Sequence, residues 1–270
     1  MAGGLPAGPV SGSGAEVAGI LLAVLTSFAG AQLFGQAYGS ASPWVLALHG
    51  WRRDHRDFDA VLSGPPPLDA VALDLPGFGG TPAPPQAWGS ADYARAVLPV
   101  LGEMACPVVL VGHSFGGRVA VHLAALAPGQ IEGLVLSGVP LFRRPGARPR
   151  PALRYRAARR LARSGLLSDA RLEQYRQRFG SADYRAAEGV MRQILVKVLA
   201  EGYESELSRV ACPVELVWGE GDTAAPLEVA ERIRDSLAGP ARLTVLPGVG
   251  HLTPTTAPAA IRAAIERLRG

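Results

Sequence analysis

Ser114 stands between two glycines, in Gly112-His113-Ser114-Phe115-Gly116, directly after an apolar run. The run 108–111 reads as a buried strand and 118–125 as a helix, so the serine falls on a very short turn between them. On such a turn a side chain at 112 or 116 would clash with the returning chain. The gain is exposure, with Oγ clear of the strand end and the first N–H groups of the helix aimed at it. A serine hydroxyl is a weak nucleophile near neutral pH unless a positioned base takes its proton. A histidine base is in turn held in the useful tautomer by a carboxylate. A plain glycine-rich turn also tolerates serine, so the meaning of the motif depends on what partners the chain supplies.

Those partners need elements to carry them. Apolar runs at 44–48, 70–73, 108–111, 133–137, 214–218 and 242–246 alternate with helical patterns at 93–104 (despite Pro99), 118–125, 226–237 and 257–269. Strands separated by helices predict a mostly parallel sheet covered on both faces, an α/β fold. In such sheets the working groups collect beyond the carboxyl ends of the strands. Two candidates fall there: Asp222, in Trp218-Gly219-Glu220-Gly221-Asp222, and His251, in Pro247-Gly248-Val249-Gly250-His251. Both are embedded in glycines, which suit loops and close backbone approach.

The alternation breaks between Pro140 and Arg209, where helical patterns at 152–163, 168–179 and 183–201 replace strands. Residues 141–209 hold 16 Lys and Arg against 7 Asp and Glu, in a chain of net charge +4. The expected organisation is a leader at 1–15 that does not fold, a core at 16–139 and 210–270, and an all-helical, arginine-rich insertion at 140–209. Residues 143–163 contain nine arginines and no acid. They read either as a solvated face or as a surface for anions: a carboxylate or phosphate on a substrate, or an acidic membrane or partner. Sparse aromatics speak against nucleic acid.

With 270 residues, 48% of them hydrophobic, the chain can bury one large core, and no internal repeat divides it. The two cysteines, Cys106 and Cys212, have no ligands at metal spacing around them. If each opens a strand with another strand between, they lie ~10 Å apart, beyond disulfide reach. Near the start, 17–34 is uncharged and Ala29-Gly30-Ala31 resembles a cleavage site, yet no Lys or Arg precedes Arg52 as a secretory signal requires. The rival reading is a hairpin, 23–28 and 32–37, about Gly30. It goes with a cytoplasmic protein; the alternative is export, with 1–31 as an atypical signal.

These motifs together resemble the α/β-hydrolase fold superfamily over roughly 23–269. His49-Gly50-Trp51 resembles its oxyanion loop after the third strand, and Asp74-Leu75-Pro76-Gly77-Phe78-Gly79 its turn after the fourth. Residues 112–116 resemble the nucleophile elbow, 218–222 the acid loop, and Gly250-His251 the histidine loop. The resemblance implies Ser114 as nucleophile, His251 as base and Asp222 as its orienting acid, with the backbone N–H groups of Trp51 and Phe115 as oxyanion donors. Some relatives take the acid from the end of the preceding core strand. Here that position reads Ser137-Gly138, without a carboxylate, which favours Asp222. Among the neighbours, Glu220 reads as a solvated or outer loop residue, His49 and His113 as turn braces, and Asp74 as a cap or brace. His55 either lines the oxyanion loop or faces solvent, and His122 reads as packing.

The resemblance also implies a helical lid roofing the pocket, with Leu141, Phe142, Leu166, Leu167, Met191 and Leu195 as pocket-facing candidates. Helical-period core packing accounts for any one of these equally well. The implied activity is cofactor-free, metal-free cleavage of carboxylic esters or related acyl compounds through an acyl-enzyme, acting on a small acyl substrate that either does or does not carry an anionic group. Lactonase, carbon–carbon bond hydrolase, acyltransferase and cofactor-free haloperoxidase or perhydrolase chemistry share the same site. Relatives that cleave epoxides or haloalkanes use aspartate where this chain has Ser114. A non-catalytic ligand-binding protein of the same fold is the alternative of another class, and membrane contact through the basic lid a further one.

Overall fold

Along each core strand, alternate side chains point to opposite sides of one sheet, and both sides are covered. Leu46, Leu48, Leu73, Leu110, Leu136 and Trp218 belong to one buried cluster. Val45, Ala47, Ala72, Val109, Val111 and Val217, their immediate neighbours in the chain, belong to the other. Burial on both sides is why these strands read as unbroken apolar runs, and each fully buried Leu or Val contributes about 2 kcal/mol to holding the layers together.

The computed structural model describes residues 25–39, 42–105, 107–142, 160–162, 164–166, 168, 170–171, 173–174 and 182–270. The strands are β1 Thr26–Phe28, β2 Leu33–Tyr38, β3 Val45–Leu48, β4 Ala70–Asp74, β5 Val108–His113, β6 Ile131–Ser137, β7 Val214–Gly219 and β8 Ala241–Leu246. They form an eight-stranded sheet in the order β1-β2-β4-β3-β5-β6-β7-β8. β2 runs antiparallel to β1 and β4, and all other pairs are parallel. Among the described residues the helices include α1 Asp59–Leu62, α2 Ser90–Val97, α3 Phe115–Leu126, α4 Ala182–Ala186, α5 Gly189–Val198, α6 Glu204–Leu207, α7 Leu227–Ser236, α8 Thr253–Thr256 and α9 Pro258–Arg269. α2, α3 and α7 cover the first face through residues such as Tyr93, Val119 and Ile233. α1 and α9 cover the second through Leu62, Ile261 and Ile265.

The α/β architecture expected from the alternation is therefore present. Two helical expectations need correction. The pattern at 93–104 does not make one helix: α2 ends at Val97, and Leu98–Glu103 continues as a 3-10 helix. Pro99 has no N–H to give to the carbonyl four residues back, so the α pattern stops there. The pattern at 183–201 is likewise divided, because Glu188 is extended (φ −126°, ψ 162°) and Gly189 has φ +50°.

Residues 26–38 form the hairpin about Gly30, and Phe34 pairs with Asp74 to fasten it to the sheet. The leader, the first part of the 17–34 stretch, Cys106, Leu167 and most of the patterns at 152–163 and 168–179 lie outside the described residues. Cys212 is half-buried just before β7, and β6 separates β7 from β5 as expected. Burial pushes its thiol up to about 11, so little thiolate is available for chemistry. Among the described residues no helix is long and apolar enough to cross a membrane.

Candidate active site

The turn from β5 into α3 is built on absent side chains. A Cβ on Gly112 would lie 2.5 Å from the Gly117 Cα, and one on Gly116 would lie 2.1 Å from the Leu48 carbonyl oxygen. Between them Ser114 takes φ 50° and ψ −111°, a conformation that L-residues rarely adopt. Two bonds hold it there. The Ser114 N–H donates to the Ser137 carbonyl at 2.9 Å, and the Gly116 N–H donates to the His49 carbonyl at 2.9 Å. Strained turn, β6 end and oxyanion loop are thus one unit.

The structure brings Ser114, His251 and Asp222 together. His251 Nε2 is 3.0 Å from Ser114 Oγ, and His251 Nδ1 is 2.8 Å from Asp222 Oδ2. Because the carboxylate only accepts, Nδ1 carries the hydrogen and Nε2 is left to accept from the serine hydroxyl. The second carboxylate oxygen, Oδ1, accepts the N–H groups of Ala224 and Ala225, both at 2.8 Å. Asp222 is therefore fully engaged and its side chain has no exposure, whereas the His251 side chain is 27% exposed and can meet a ligand.

Glycines make this meeting sterically feasible. A Cβ on Gly219 would lie 2.3 Å from the Gly250 carbonyl oxygen, so the ends of β7 and β8 close on each other only because it is absent. The loops are further joined by Glu220 N–H to Leu246 O and Gly221 N–H to Val249 O. Glu220 itself is exposed, in keeping with a solvated loop residue. Gly138, at φ +59°, would place a Cβ 3.0 Å from Asp222 Oδ2 and 3.1 Å from His251 Nδ1, so its bareness leaves room for the acid–histidine pair.

Two N–H groups flank the serine. Phe115 is the first residue of α3, and N–H groups of a first helical turn have no intrahelical acceptor. Gly50 to Arg53 form a turn closed by Arg53 N–H to Gly50 O at 3.2 Å, which does not use the N–H of Trp51. Arg52, at φ 58°, occupies the position of that turn that demands a positive φ. The side chains around these donors form an aromatic cluster: Trp51 meets Phe78 edge-on at 5.0 Å and Phe115 at 5.3 Å, and Tyr93 meets Phe115 at 5.0 Å. Sequence reasoning passed over Phe78 and Tyr93. Phe78 could have been found as the aromatic residue of the motif 74–79, but nothing in the spacing marks Tyr93.

The remaining histidines brace loops. His49 donates from Nδ1 to the Gly50 carbonyl at 2.7 Å and accepts the Leu75 N–H on Nε2 at 3.0 Å, tying the loops after β3 and β4. His113 Nδ1 donates to the Ser137 carbonyl at 3.0 Å, the same oxygen that holds Ser114. His55 Nδ1 is 2.8 Å from Asp74 Oδ1, and Asp74 Oδ2 accepts the Gly80 N–H at 2.7 Å, so His55 does not simply face solvent. Asp54, His55 and Asp74 are close enough to share a cation. Each already has a protein partner, with Asp54 held by Arg56, so the cluster reads as a loop brace. His122 packs 5.4 Å from the Tyr203 ring, as expected of a packing residue.

Burial drives the His113 imidazole down to about 3 from its ordinary value near 6.5, and lowers His49 in the same direction. Between about 3 and 6.5 the unfolded chain binds a proton that folded His113 refuses, so stability rises with pH across that window and is lost on acidification, by up to about 1.4 kcal/mol per pH unit for one such group. Urea midpoints should therefore fall between pH 7.5 and 5.5, above the range where ordinary carboxylates titrate, and fall less in His113→Asn. Midpoints that stay flat over that range would refute this assignment.

Of the six proposed pocket residues, Leu141, Phe142 and Leu195 are buried, and Met191 is half-buried. Met191 packs onto the bare Gly77, whose Cβ would lie 2.4 Å from its sulfur, so α5 rests on the turn that carries Phe78. Leu166, which the resemblance implied as pocket-facing, is 76% exposed and is not among the buried residues.

The sequence and fold are similar to those of known proteins. A family model described as "Alpha/beta hydrolase family" matches residues 45–264. Lipase LipV of Mycobacterium tuberculosis is 40% identical over 104 residues, which span 37% of this chain and 39% of the lipase. The first relatives matched are covered over less than half of their own length. A longer match joins the chain to the pimeloyl-[acyl-carrier protein] methyl ester esterase of Aromatoleum aromaticum, 31% identical over 240 residues, covering 77% of this chain and 91% of that one. In fold, an esterase from Exiguobacterium antarcticum superposes with a TM-score of 0.67 at 18% identity, over 92% of this chain and all of that one.

Proposed function

The chain belongs to the alpha/beta hydrolase family, and on that premise we propose that it is a cofactor-free serine hydrolase that cleaves carboxylic esters or related acyl compounds through an acyl-enzyme. The observation that carries this reading is the unbroken chain Ser114–His251–Asp222, with contacts of 3.0 and 2.8 Å, on a strained turn that opens a helix. Ser114 Oγ attacks the acyl carbon while its proton passes to His251 Nε2. The oxygen of the former carbonyl becomes negative and is received by the N–H groups of Trp51 and Phe115. One such donor is worth about 3 kcal/mol in the transition state. Collapse expels the alcohol, which leaves with the proton from His251. Water then repeats the sequence on the acyl-serine and frees the acid. Asp222 steadies the imidazolium formed in each half, and remains ionised throughout.

A fluorophosphonate probe tests the reading. Stoichiometric modification of Ser114, together with turnover of a short-chain ester in the same preparation, is the expected result. A folded protein that neither labels at Ser114 nor turns over any member of an ester, thioester and lactone panel would be a ligand-binding protein on this fold instead.

A further inference from the structure

The helix that follows the serine carries one charge in an apolar setting. Arg118 lies on α3 beside Val119, Ala120 and Val121, and it is buried. A buried guanidinium persists only where its N–H groups meet acceptors. Arg118 meets them on both stems of the segment inserted between β6 and β7. Nη2 donates to the Pro140 carbonyl at 2.7 Å, where the chain leaves β6. Nη1 donates to the Val198 carbonyl at 2.6 Å, at the end of α5, and to the Tyr203 hydroxyl at 3.2 Å, where the chain returns.

The guanidinium also lies 5.3 Å from the centre of the Tyr203 ring. The Tyr203 hydroxyl passes its own hydrogen to Glu201 Oε2 at 2.8 Å and accepts that of Ser90 at 2.9 Å. The Ser90 N–H reaches the same carboxylate at 3.1 and 3.2 Å. Glu201 comes this near because Gly89 is bare: a Cβ there would lie 2.2 Å from its Oε1. The buried positive charge thus faces a negative one across a single phenol, and the network is satisfied at every member.

What Arg118 holds is directly continuous with three buried apolar residues that the resemblance to the family implies are pocket-facing. Leu141 and Phe142 follow Pro140, and Leu195 lies one turn before Val198. We propose that Arg118 is a positioning residue: by fastening Pro140 and Val198 to the helix that begins at Ser114, it fixes Leu141, Phe142 and Leu195 relative to the serine, as a wall of the acyl pocket, and so sets how the substrate's acyl chain is seated. The inference rests on the serine hydrolase reading. A planar fork suits the task because one rigid group binds two stems at once, which the single ammonium of lysine does not do.

The experiment compares an acetyl ester with a long-chain acyl ester of the same alcohol in wild type, Arg118→Met, Arg118→Lys and Arg118→Ala, with thermal melts to establish folding. Displacement of a wall by about 1 Å is enough for a large loss, so KM for the long ester should rise about 10-fold or more, while the acetyl ester kcat/KM and the rate of fluorophosphonate labelling change less than about 3-fold. Millimolar guanidinium ion should restore the long-ester KM of Arg118→Ala, and an equal concentration of sodium chloride should not. Should the Met and Lys variants fail to fold, Tyr203→Phe decides, because it keeps the ring and removes the hydroxyl, and the same chain-length-dependent rise is expected. Equal losses on both esters, or an unchanged long-ester KM in folded variants, overturn the proposal. Wild type that fails to label at Ser114 overturns the hydrolase reading instead.

Discussion

Ser114→Ala should lower kcat/KM for any ester the protein cleaves by about 10⁴-fold or more while leaving the fold intact. The substitution removes one atom. The φ of 50° at this position is already borne by a residue with a Cβ, so alanine inherits the turn and adds no clash. The two bonds that hold the turn, Ser114 N–H to Ser137 O and Gly116 N–H to His49 O, are backbone bonds and survive. What disappears is the nucleophile and the hydrogen that it donates to Nε2 of His251, 3.0 Å away. On the proposed mechanism the N–H groups of Trp51 and Phe115 would still polarise a bound carbonyl, so a residual rate above that of water is expected. His251→Ala should do comparable damage, and the double variant little more, because the two groups act as a unit. Steady-state kinetics with a melting curve for each variant check this. A folded Ser114→Ala protein within about 10-fold of wild type would sink the nucleophile assignment.

How much of this was legible in the sequence follows from what each signal depends on. The core strands were legible because burial on both faces writes itself as unbroken apolar runs, and the elbow because Gly112 and Gly116 are demanded by contacts under 3 Å. The juxtaposition of Ser114, Asp222 and His251 was legible because parallel strands deliver their carboxyl ends to one edge. Side-chain partnerships across the fold were not. Tyr93 joins the aromatic cluster from a helix, Ser90–Val97, whose position against Phe115 no local spacing marks. Leu166 was implied by the resemblance alone and is exposed, since a family likeness does not say what lies opposite one side chain. Arg118 left one mark, a charge in a helix otherwise without charges, and its acceptors at Pro140, Val198 and Tyr203 are 22, 80 and 85 residues away. Contacts at such separation are set by topology and not by local pattern.

The acid offers the second large effect, and its direction can be argued from hydrogens alone. Asp222→Asn keeps the size of the side chain and changes one acceptor into a donor. Oδ1 is held by two N–H groups, those of Ala224 and Ala225 at 2.8 Å, so the amide oxygen is confined to that side and the NH₂ is turned toward His251 Nδ1. Two donors cannot face each other across 2.8 Å. His251 must therefore place its hydrogen on Nε2 and accept from the amide on Nδ1. In that tautomer Nε2 has no lone pair for the Ser114 proton, and the nucleophile loses its base although every heavy atom stays in place. The expected fall in kcat is about 10⁴-fold, close to that of Ser114→Ala. Unlike Ser114→Ala, the variant retains its serine, so fluorophosphonate labelling should be slowed and not abolished. Asp222→Ala should be less selective, because it also strands the N–H groups of Ala224 and Ala225 and lowers the melting temperature. Wild-type turnover by folded Asp222→Asn would mean that His251 finds its orientation elsewhere, and the nearest bare position, Gly138, carries no side chain to provide it.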